Sequence, residues 1–250
     1  MSKTVLITGA TSGIGKATAY ELAKHGYKLI LCGRRQHRLD SISKDLLKLT
    51  KVTTLNFDVR DNDAILKSIN NLPEDYKHIE ILINNAGNAH GLDPVDTASL
   101  DDWDAMIDIN VKGLLYVSKA IIPQMKDRTS GHIINIGSSA GKEVYPKGNV
   151  YCASKHAVLA VTEGMRIDLN PYDIKVSAIN PGLVETEFSE VRFKGDAKAD
   201  NVYKGYKALQ AEDIAEIIHF CISRPSHVNM ADVLVFPQAQ ANSTIVKKSL

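Results

Sequence analysis

Along the chain, short runs of β-branched and leucine residues alternate with longer stretches in which apolar positions recur every three or four residues. The runs are TVLIT (4–8), KLILC (28–32), VTTLNF (52–57), IEILIN (79–84), HIINIG (132–137), IKVSAIN (174–180) and DVLVF (232–236). They are apolar almost throughout, the mark of strands covered on both faces. The stretches between them read as helices: IGKATAYELAKHG closes on Gly26 as a C-cap, and ASLDDWDAMIDINVKGLLYVSKAIIPQM carries a long helical period. Parallel strands need a crossover connection, so this alternation predicts an α/β fold with a doubly wound parallel sheet of about seven strands and helices on both faces. No linker, repeat or low-complexity block interrupts it, and residues 1–250 read as a single domain. The polar, charged segment from about 185 to 210 is the exception and reads as a lid over a site.

Composition narrows the partners. Thirty basic against twenty-nine acidic side chains leave a net charge of +1, which gives no reason to expect nucleic acid. No stretch is long and apolar enough to predict a membrane span, and MSKTVLITGA reads as the approach to a buried strand and not as a signal peptide. Cys32, Cys152 and Cys221 are too few and too scattered for a disulfide framework or zinc site, which fits a reducing, cytoplasmic setting. Cys152 itself reads as a small packing residue. No two of the eight histidines stand at a chelating spacing along one element, so no metal is expected.

Between the first strand and first helix lies Thr8-Gly9-Ala10-Thr11-Ser12-Gly13-Ile14-Gly15. Glycines permit positive φ and close backbone approach, and the N-terminus of the following helix offers free N–H groups and a positive dipole end to a pyrophosphate. A glycine-rich turn alone can be only a turn; its place between strand and helix points to a dinucleotide and hence to a Rossmann-type domain. The G-x-x-x-G-x-G spacing resembles the TGxxxGIG turn of the short-chain dehydrogenase/reductase family. The second strand ends in Cys32-Gly33-Arg34-Arg35, where an acidic residue would suit a ribose 2′-hydroxyl and arginines suit a 2′-phosphate. NADP is therefore the expected cofactor; the alternative is a pair of solvated surface cations.

Tyr151 and Lys155 stand four apart, and a helix starting near Asn149 puts them on one face. A phenol with an ordinary pKa near ~10 is a poor base at neutral pH; moving it to roughly 7 takes about 4 kcal/mol, which an adjacent ammonium and an oxidised nicotinamide can supply in a dry site. A bare YxxxK more often means a packed ring and a solvated amine, so context decides. Ser138 follows the fifth strand at the end of the sheet where open α/β folds bind ligands. Asn110 is polar among apolar neighbours in MIDINVKGLLYV, either a capped or solvated helix position or a group holding a water beside Lys155.

TGxxxGIG, NNAG (84–87), Asn110, Ser138, YxxxK and Pro181-Gly182 occur in the order and spacing of the short-chain dehydrogenase/reductase family, from about Thr4 to Phe236. The resemblance implies direct hydride transfer between a nicotinamide and a carbonyl carbon. It implies Tyr151 as proton donor or acceptor, Lys155 lowering its pKa and gripping the ribose, Ser138 orienting the carbonyl and Asn110 supporting a proton relay. For the cofactor it implies Gly9, Thr11, Ser12, Gly13, Ile14 and Gly15 at the pyrophosphate, and Asp58 and the Val59 N–H at the adenine. Asn85, Ala86 and Gly87 would line the ribose, and the stretch with Pro181 and Gly182 would wrap the nicotinamide, with the Val184 backbone near its carboxamide and Thr186 near phosphate. GRRQHRLD, NNAGNAHGLDPV, EFSEVRFKGD and DVLVFPQ further resemble NADP-dependent 3-hydroxy acid dehydrogenases acting on L-serine, allo-threonine and 3-hydroxyisobutyrate. A carboxylate substrate calls for a cation, and Arg192 or Lys194 in the lid is the candidate. A broad carbonyl or 3-ketoacyl reductase and a non-catalytic dinucleotide-binding regulator are the alternative functions. The family habit of tetramers, with the small-residue face Ala153, Ala157, Ala160 and Gly164, predicts a homotetramer. The tail QANSTIVKKSL has no assigned role.

Overall fold

A computed structural model describes residues 2–195 and 202–249. Its strands are β1 (Thr4–Thr8), β2 (Lys28–Gly33), β3 (Val52–Asn56), β4 (Ile81–Asn84), β5 (Gly131–Ile136), β6 (Ile174–Pro181), β7 (Val184–Glu185), β8 (Leu209–Gln210) and β9 (Asp232–Val235). Seven of them make one parallel sheet in the order β3-β2-β1-β4-β5-β6-β9, and β7 pairs with β8 in a two-residue parallel ladder of its own. The seven apolar runs of the sequence are these seven strands. The small ladder, two residues a side, is too short to carry a hydrophobic period.

The strands are apolar throughout because both faces are covered. Val5, Ile7, Leu29 and Leu31 face one layer, packing with Leu22, Leu39, Leu46 and Ile218 from α1 (Gly13–Lys24), α2 (Gln36–Leu46) and the helix Ala211–Ile222. Leu6, Ile30 and Leu82 face the other, with Ile65, Val117, Ile121 and Met125. Those last four come from α3 (Asn62–Asn70) and α5 (Leu114–Asp127), the latter running on from α4 (Leu100–Ile107). Each such side chain taken fully out of water contributes ~1.5–3 kcal/mol, so the alternation of faces within a strand fixes its register. The remaining helices are α6 (Asn149–Leu169), α7 (Phe188–Arg192) and α8, the helix Ala211–Ile222 already met.

α1 stops where the sequence places its cap. Gly26 takes φ +75°, its N–H donates to Ala23 O at 3.0 Å, and the Tyr27 N–H reaches back to Leu22 O at 3.1 Å, the paired bonds of a Schellman turn. β1 lies between β2 and β4, so the chain leaves it to one side and later returns on the other. The crevice opened at that reversal, beyond the carboxyl ends of the strands, is where an open α/β sheet holds a ligand. Of the lid expected at 185–210, the structure shows β7, α7 and β8; residues 196–201 lie outside the described residues.

Candidate active site

One cavity of about 790 Å³ runs along this crevice. It is lined at one end by Gly9, Thr11, Ser12, Gly13, Arg34, Arg35, Asp58 and Val59, and at the other by Ser138, Tyr145, Tyr151, Lys155 and Arg192. Asn85, Ala86, Gly87, Pro181, Gly182, Val184 and Thr186 line it between.

The glycine turn is held from behind. Gly9 sits at φ +65°, and a Cβ there would come within 2.9 Å of the Asn85 amide nitrogen. That nitrogen donates to Thr8 O at 2.9 Å and Gly9 O at 3.2 Å, while the Thr8 hydroxyl accepts from the Asn85 and Ala86 N–H groups at 3.0 Å each. Asn84 points the other way, donating to Ser118 Oγ and Asn135 Oδ1 at 2.9 Å and so tying β4 to α5 and β5. The NNAG tetrapeptide thus braces the turn on one side and the sheet on the other. Ser12 caps the start of α1 with extended backbone, and Thr186 reaches across to the turn: a Cβ on Gly13 would lie 3.3 Å from it.

The arginines divide. Arg34 is mostly exposed and pairs with Asp58 at 3.3 Å. Arg35 turns inward, its guanidinium donating to Thr11 Oγ1 at 3.0 Å and Ser12 Oγ at 2.9 Å and pairing with Glu187 at 3.4 Å. Arg38, one turn into α2, donates to both oxygens of Glu187 at 2.8 Å. Sequence reading missed Arg38 and Glu187, although RRxxR at the start of a helix shows a third cation one turn on. It also missed Arg60, which donates to Asp58 Oδ2 at 2.7 Å and Oδ1 at 3.1 Å. Burial pushes the Asp58 carboxyl up, but hydrogen bonds from Arg60 and the charges of Arg34 and Arg60 outweigh it and hold the group at about 2. Asp58 is therefore ionised and already engaged on both oxygens.

At the other end, α6 places Tyr151 and Lys155 side by side, both buried. The Lys155 ammonium lies 6.0 Å from the Tyr151 ring centre and donates to Ile136 O at 3.0 Å. Burial lowers Lys155 to about 8. The expected depression of the phenol is absent from the protein alone. Burial raises Tyr151 well above the ordinary tyrosine value, with nearby Tyr145 adding to it and the Ser138 hydroxyl and Arg192 charge pulling back only in part. The reason is desolvation: a dry pocket penalises the phenolate more than the Ser138 hydroxyl and the Arg192 charge favour it. Ser138 has extended backbone just past β5, and its hydroxyl accepts from the Ala140 N–H at 3.1 Å.

Asn110 is neither a cap nor solvated. It sits in a π turn (Asp108–Gly113) between α4 and α5, 2% exposed. Its Oδ1 accepts from Asn88 N at 2.8 Å, and its Nδ2 donates to Asn88 O at 2.8 Å and Ser154 Oγ at 3.0 Å. The side chain clamps the loop after β4 to α6, and its Oδ1 and the Lys155 ammonium both lie against Gly87. A π turn is a local excess of one residue per turn that often sits at functional sites.

Arg192 and Lys194 part company. Lys194 pairs with Asp102 at 3.0 Å and stays mostly exposed. Arg192, at the end of α7, lies 5.5 Å from the Tyr151 ring centre, donates to Tyr145 OH at 3.0 Å and Gly91 O at 3.1 Å, and accepts from Gly91 N through its own carbonyl at 3.0 Å. Among the described residues no carboxylate pairs with it. Tyr145, six residues before Tyr151, is a further site residue that the sequence did not single out; burial raises its phenol.

The short chain dehydrogenase family model matches residues 3–197, and the chain belongs to that family. It is 45% identical over 248 residues to an NADP-dependent 3-hydroxy acid dehydrogenase of Schizosaccharomyces pombe, covering 98% of this chain and 96% of the relative. It is 43% identical over 243 residues to sulfoacetaldehyde reductase 2 of Chromohalobacter salexigens, covering 96% of each. The closed form of serine dehydrogenase complexed with NADP+ superposes with a TM-score of 0.93 at 41% identity, covering 99% of this chain and 100% of that one. The chain is thus an NADP-dependent oxidoreductase acting on hydroxyl groups. The cavity fits that cofactor on its own terms: a braced glycine turn at a helix N-terminus suits the pyrophosphate, and Arg34 and Arg35 stand where a 2′-phosphate needs cations.

Proposed function

We propose that the protein interconverts 3-hydroxy acids of the serine, allo-threonine and 3-hydroxyisobutyrate type with their 3-oxo counterparts, as a cytoplasmic homotetramer. The observation that carries the substrate class is Arg192: an inward-facing guanidinium whose partners among the described residues are neutral, against the ring of the proton-bearing tyrosine. A carboxylate two bonds from the reacting carbon completes its pairing, and forked Arg–carboxylate pairs are among the stronger hydrogen-bonded contacts. The small-residue face of α6 supports the assembly, since Ala153 and Ala160 are exposed on it.

Bound NADP supplies the hydride or accepts it at its nicotinamide. Gly9, Thr11, Ser12, Gly13, Ile14 and Gly15 would hold its pyrophosphate, Arg34 and Arg35 its 2′-phosphate, and Asp58 and the Val59 N–H its adenine. Asn85, Ala86 and Gly87 would pass its ribose, Pro181, Gly182 and Val184 its nicotinamide end, and Thr186, against Gly13, its phosphate. Tyr151 gives its hydroxyl proton to the oxygen formed on reduction and takes it back on oxidation. Ser138 holds that oxygen by hydrogen bond, and the Lys155 ammonium stabilises phenolate as the proton leaves. A phenol held protonated by burial is ready as an acid and reluctant as a base, so oxidation gains rate as pH rises while reduction does not.

Sulfoacetaldehyde likewise carries an anion one carbon from its carbonyl, so a sulfonate reading deserves a place in the test. Oxidation of L-serine, L-allo-threonine and 3-hydroxyisobutyrate is compared with reduction of sulfoacetaldehyde, a 3-ketoacyl thioester and a neutral ketone, for the parent and Arg192→Ala. Arg192→Ala is expected to lower kcat/KM on the anionic substrates about a hundredfold, ~3 kcal/mol, and to leave the neutral ketone within a few-fold. Equal losses on both would remove anion recognition from the account.

A further inference from the structure

The C-terminal tail, silent in the sequence, folds back over the cavity. Gln240 is 5% exposed; its Oε1 accepts from Leu183 N at 2.8 Å, in the stretch that follows β6, and its Nε2 donates to Asn242 O at 3.1 Å. From there the chain turns on Asn242, whose Oδ1 accepts from the N–H groups of Thr244 and Ile245 at 2.9 and 2.8 Å. It returns as a short hairpin, with Ala241 N bonded to Ile245 O and Lys247 N to Ala239 O. Ser249 N then donates to Gly205 O at 2.7 Å, fastening the tail to the lid side. At the hairpin tip, Ser243 N donates to Glu143 Oε2 at 2.7 Å, in the loop between Ser138 and Tyr151. The Ser243 residue lines the same cavity as Ser138, Tyr151 and Arg192, and its Oγ is buried with no hydrogen-bond partner among the described residues.

A buried hydroxyl without a partner costs roughly 1–3 kcal/mol, and a backbone anchored at both ends holds it in place. The ligand that satisfies it can be identified by elimination. On the 3-hydroxy acid reading, on which this inference rests, the carboxylate goes to Arg192 and the reacting oxygen to Tyr151 and Ser138. What remains on serine or allo-threonine is the 2-ammonium group. Ser243 offers an acceptor oxygen on the cavity lining, and its backbone is held by the Glu143 carboxylate. We infer that Ser243, presented by the C-terminal hairpin, is a substrate-binding residue that accepts a hydrogen bond from the 2-ammonium group of 2-amino-3-hydroxy acids.

L-Serine and 3-hydroxyisobutyrate make a matched pair, since they differ in an ammonium against a methyl group at the same carbon. The test measures kcat/KM for both acids, and the dissociation constant for NADPH, in the parent, Ser243→Ala and Ser243→Thr. Ser243→Ala is expected to lower the serine to 3-hydroxyisobutyrate ratio of kcat/KM about tenfold or more, with NADPH affinity unchanged, and Ser243→Thr to restore most of the ratio. A loss shared equally by both acids, no loss at all, or weakened NADPH binding would overturn the assignment. A parent protein that binds NADPH yet oxidises neither acid overturns the 3-hydroxy acid reading itself, an outcome visible before any variant is made.

Discussion

The Lys155 side chain shows how far chemistry can be read from spacing. Its separation from Tyr151 placed both groups on one helix face, and α6 does so. Spacing carried no information on solvent, and it is burial that sets the charge states here: Lys155 falls to about 8 and the Tyr151 phenol rises. A group whose folded pKa lies below its unfolded value holds its proton less tightly when folded, so the charged Lys155 costs stability below pH 8, and the cost fades between about 8 and 10.5. Lys155→Met should therefore abolish turnover and still raise the melting temperature of the coenzyme-free protein at pH 7 by several degrees, read by calorimetry. A lowered melting temperature would show that the bond to Ile136 O outweighs the desolvation. Asn110 gives the opposite lesson: its polarity among apolar neighbours flagged it, but its partners Asn88 and Ser154 come from two other segments and could not be read from one.

At the level of elements, the regular ones were legible and the junctions were not. Seven strands, the cap at Gly26 and the glycine turn follow from period and turn chemistry. The π turn inside the α4–α5 helix does not, because six residues are too few to show a period of their own. Nor does the meeting of α1 and α8, which brings Glu21, His25 and His219 within 4.8 Å of one another. The expectation about histidines considered only pairs on one element; in the fold two helices supply the cluster. Its two imidazoles stack at 3.7 Å and 14°, so their lone pairs lie in nearly parallel planes, and Lys24 holds Glu21 at 3.1 Å. The junction of α2 with the lid bears on the cofactor. Arg35 and Arg38 share Glu187, so a 2′-phosphate has to displace or join a carboxylate already there. Arg34→Ala with Arg35→Ala is expected to raise KM for NADPH by ten- to a hundredfold while NADH changes by less than threefold. An equal change on both coenzymes would take the 2′-phosphate away from these arginines.

For the molecule as a whole, the sheet and its two covered faces set the response to acid. His132 lies in β5, buried, with its Nε2 2.8 Å from Ser177 Oγ, which in turn donates to Asn229 Oδ1 at 3.0 Å. Ser177 therefore accepts from Nε2–H, and Nδ1 has no partner among the described residues. Burial, with help from the charges of Lys175 and Lys3, lowers its pKa to about 3. The unfolded chain takes up a proton near pH 6.5 and the folded one only near 3, so stability falls as pH drops through that window. His132→Asn should flatten the melting temperature between pH 6.5 and 4 relative to the parent. An unchanged slope would place acid sensitivity elsewhere. Assembly is the other property of the whole, and light scattering should give four times the 27.4 kDa chain mass; a monomer would contradict the use proposed for the face of α6.

The most direct test of the central claim is Tyr151→Phe, followed by NADPH binding and by L-serine oxidation in parallel. The account predicts an unchanged dissociation constant for NADPH and kcat lower by at least a thousandfold at every pH between 6 and 10, because the ring stays packed and only the exchangeable proton is gone. Turnover within tenfold of the parent, with the coenzyme still bound, would contradict it.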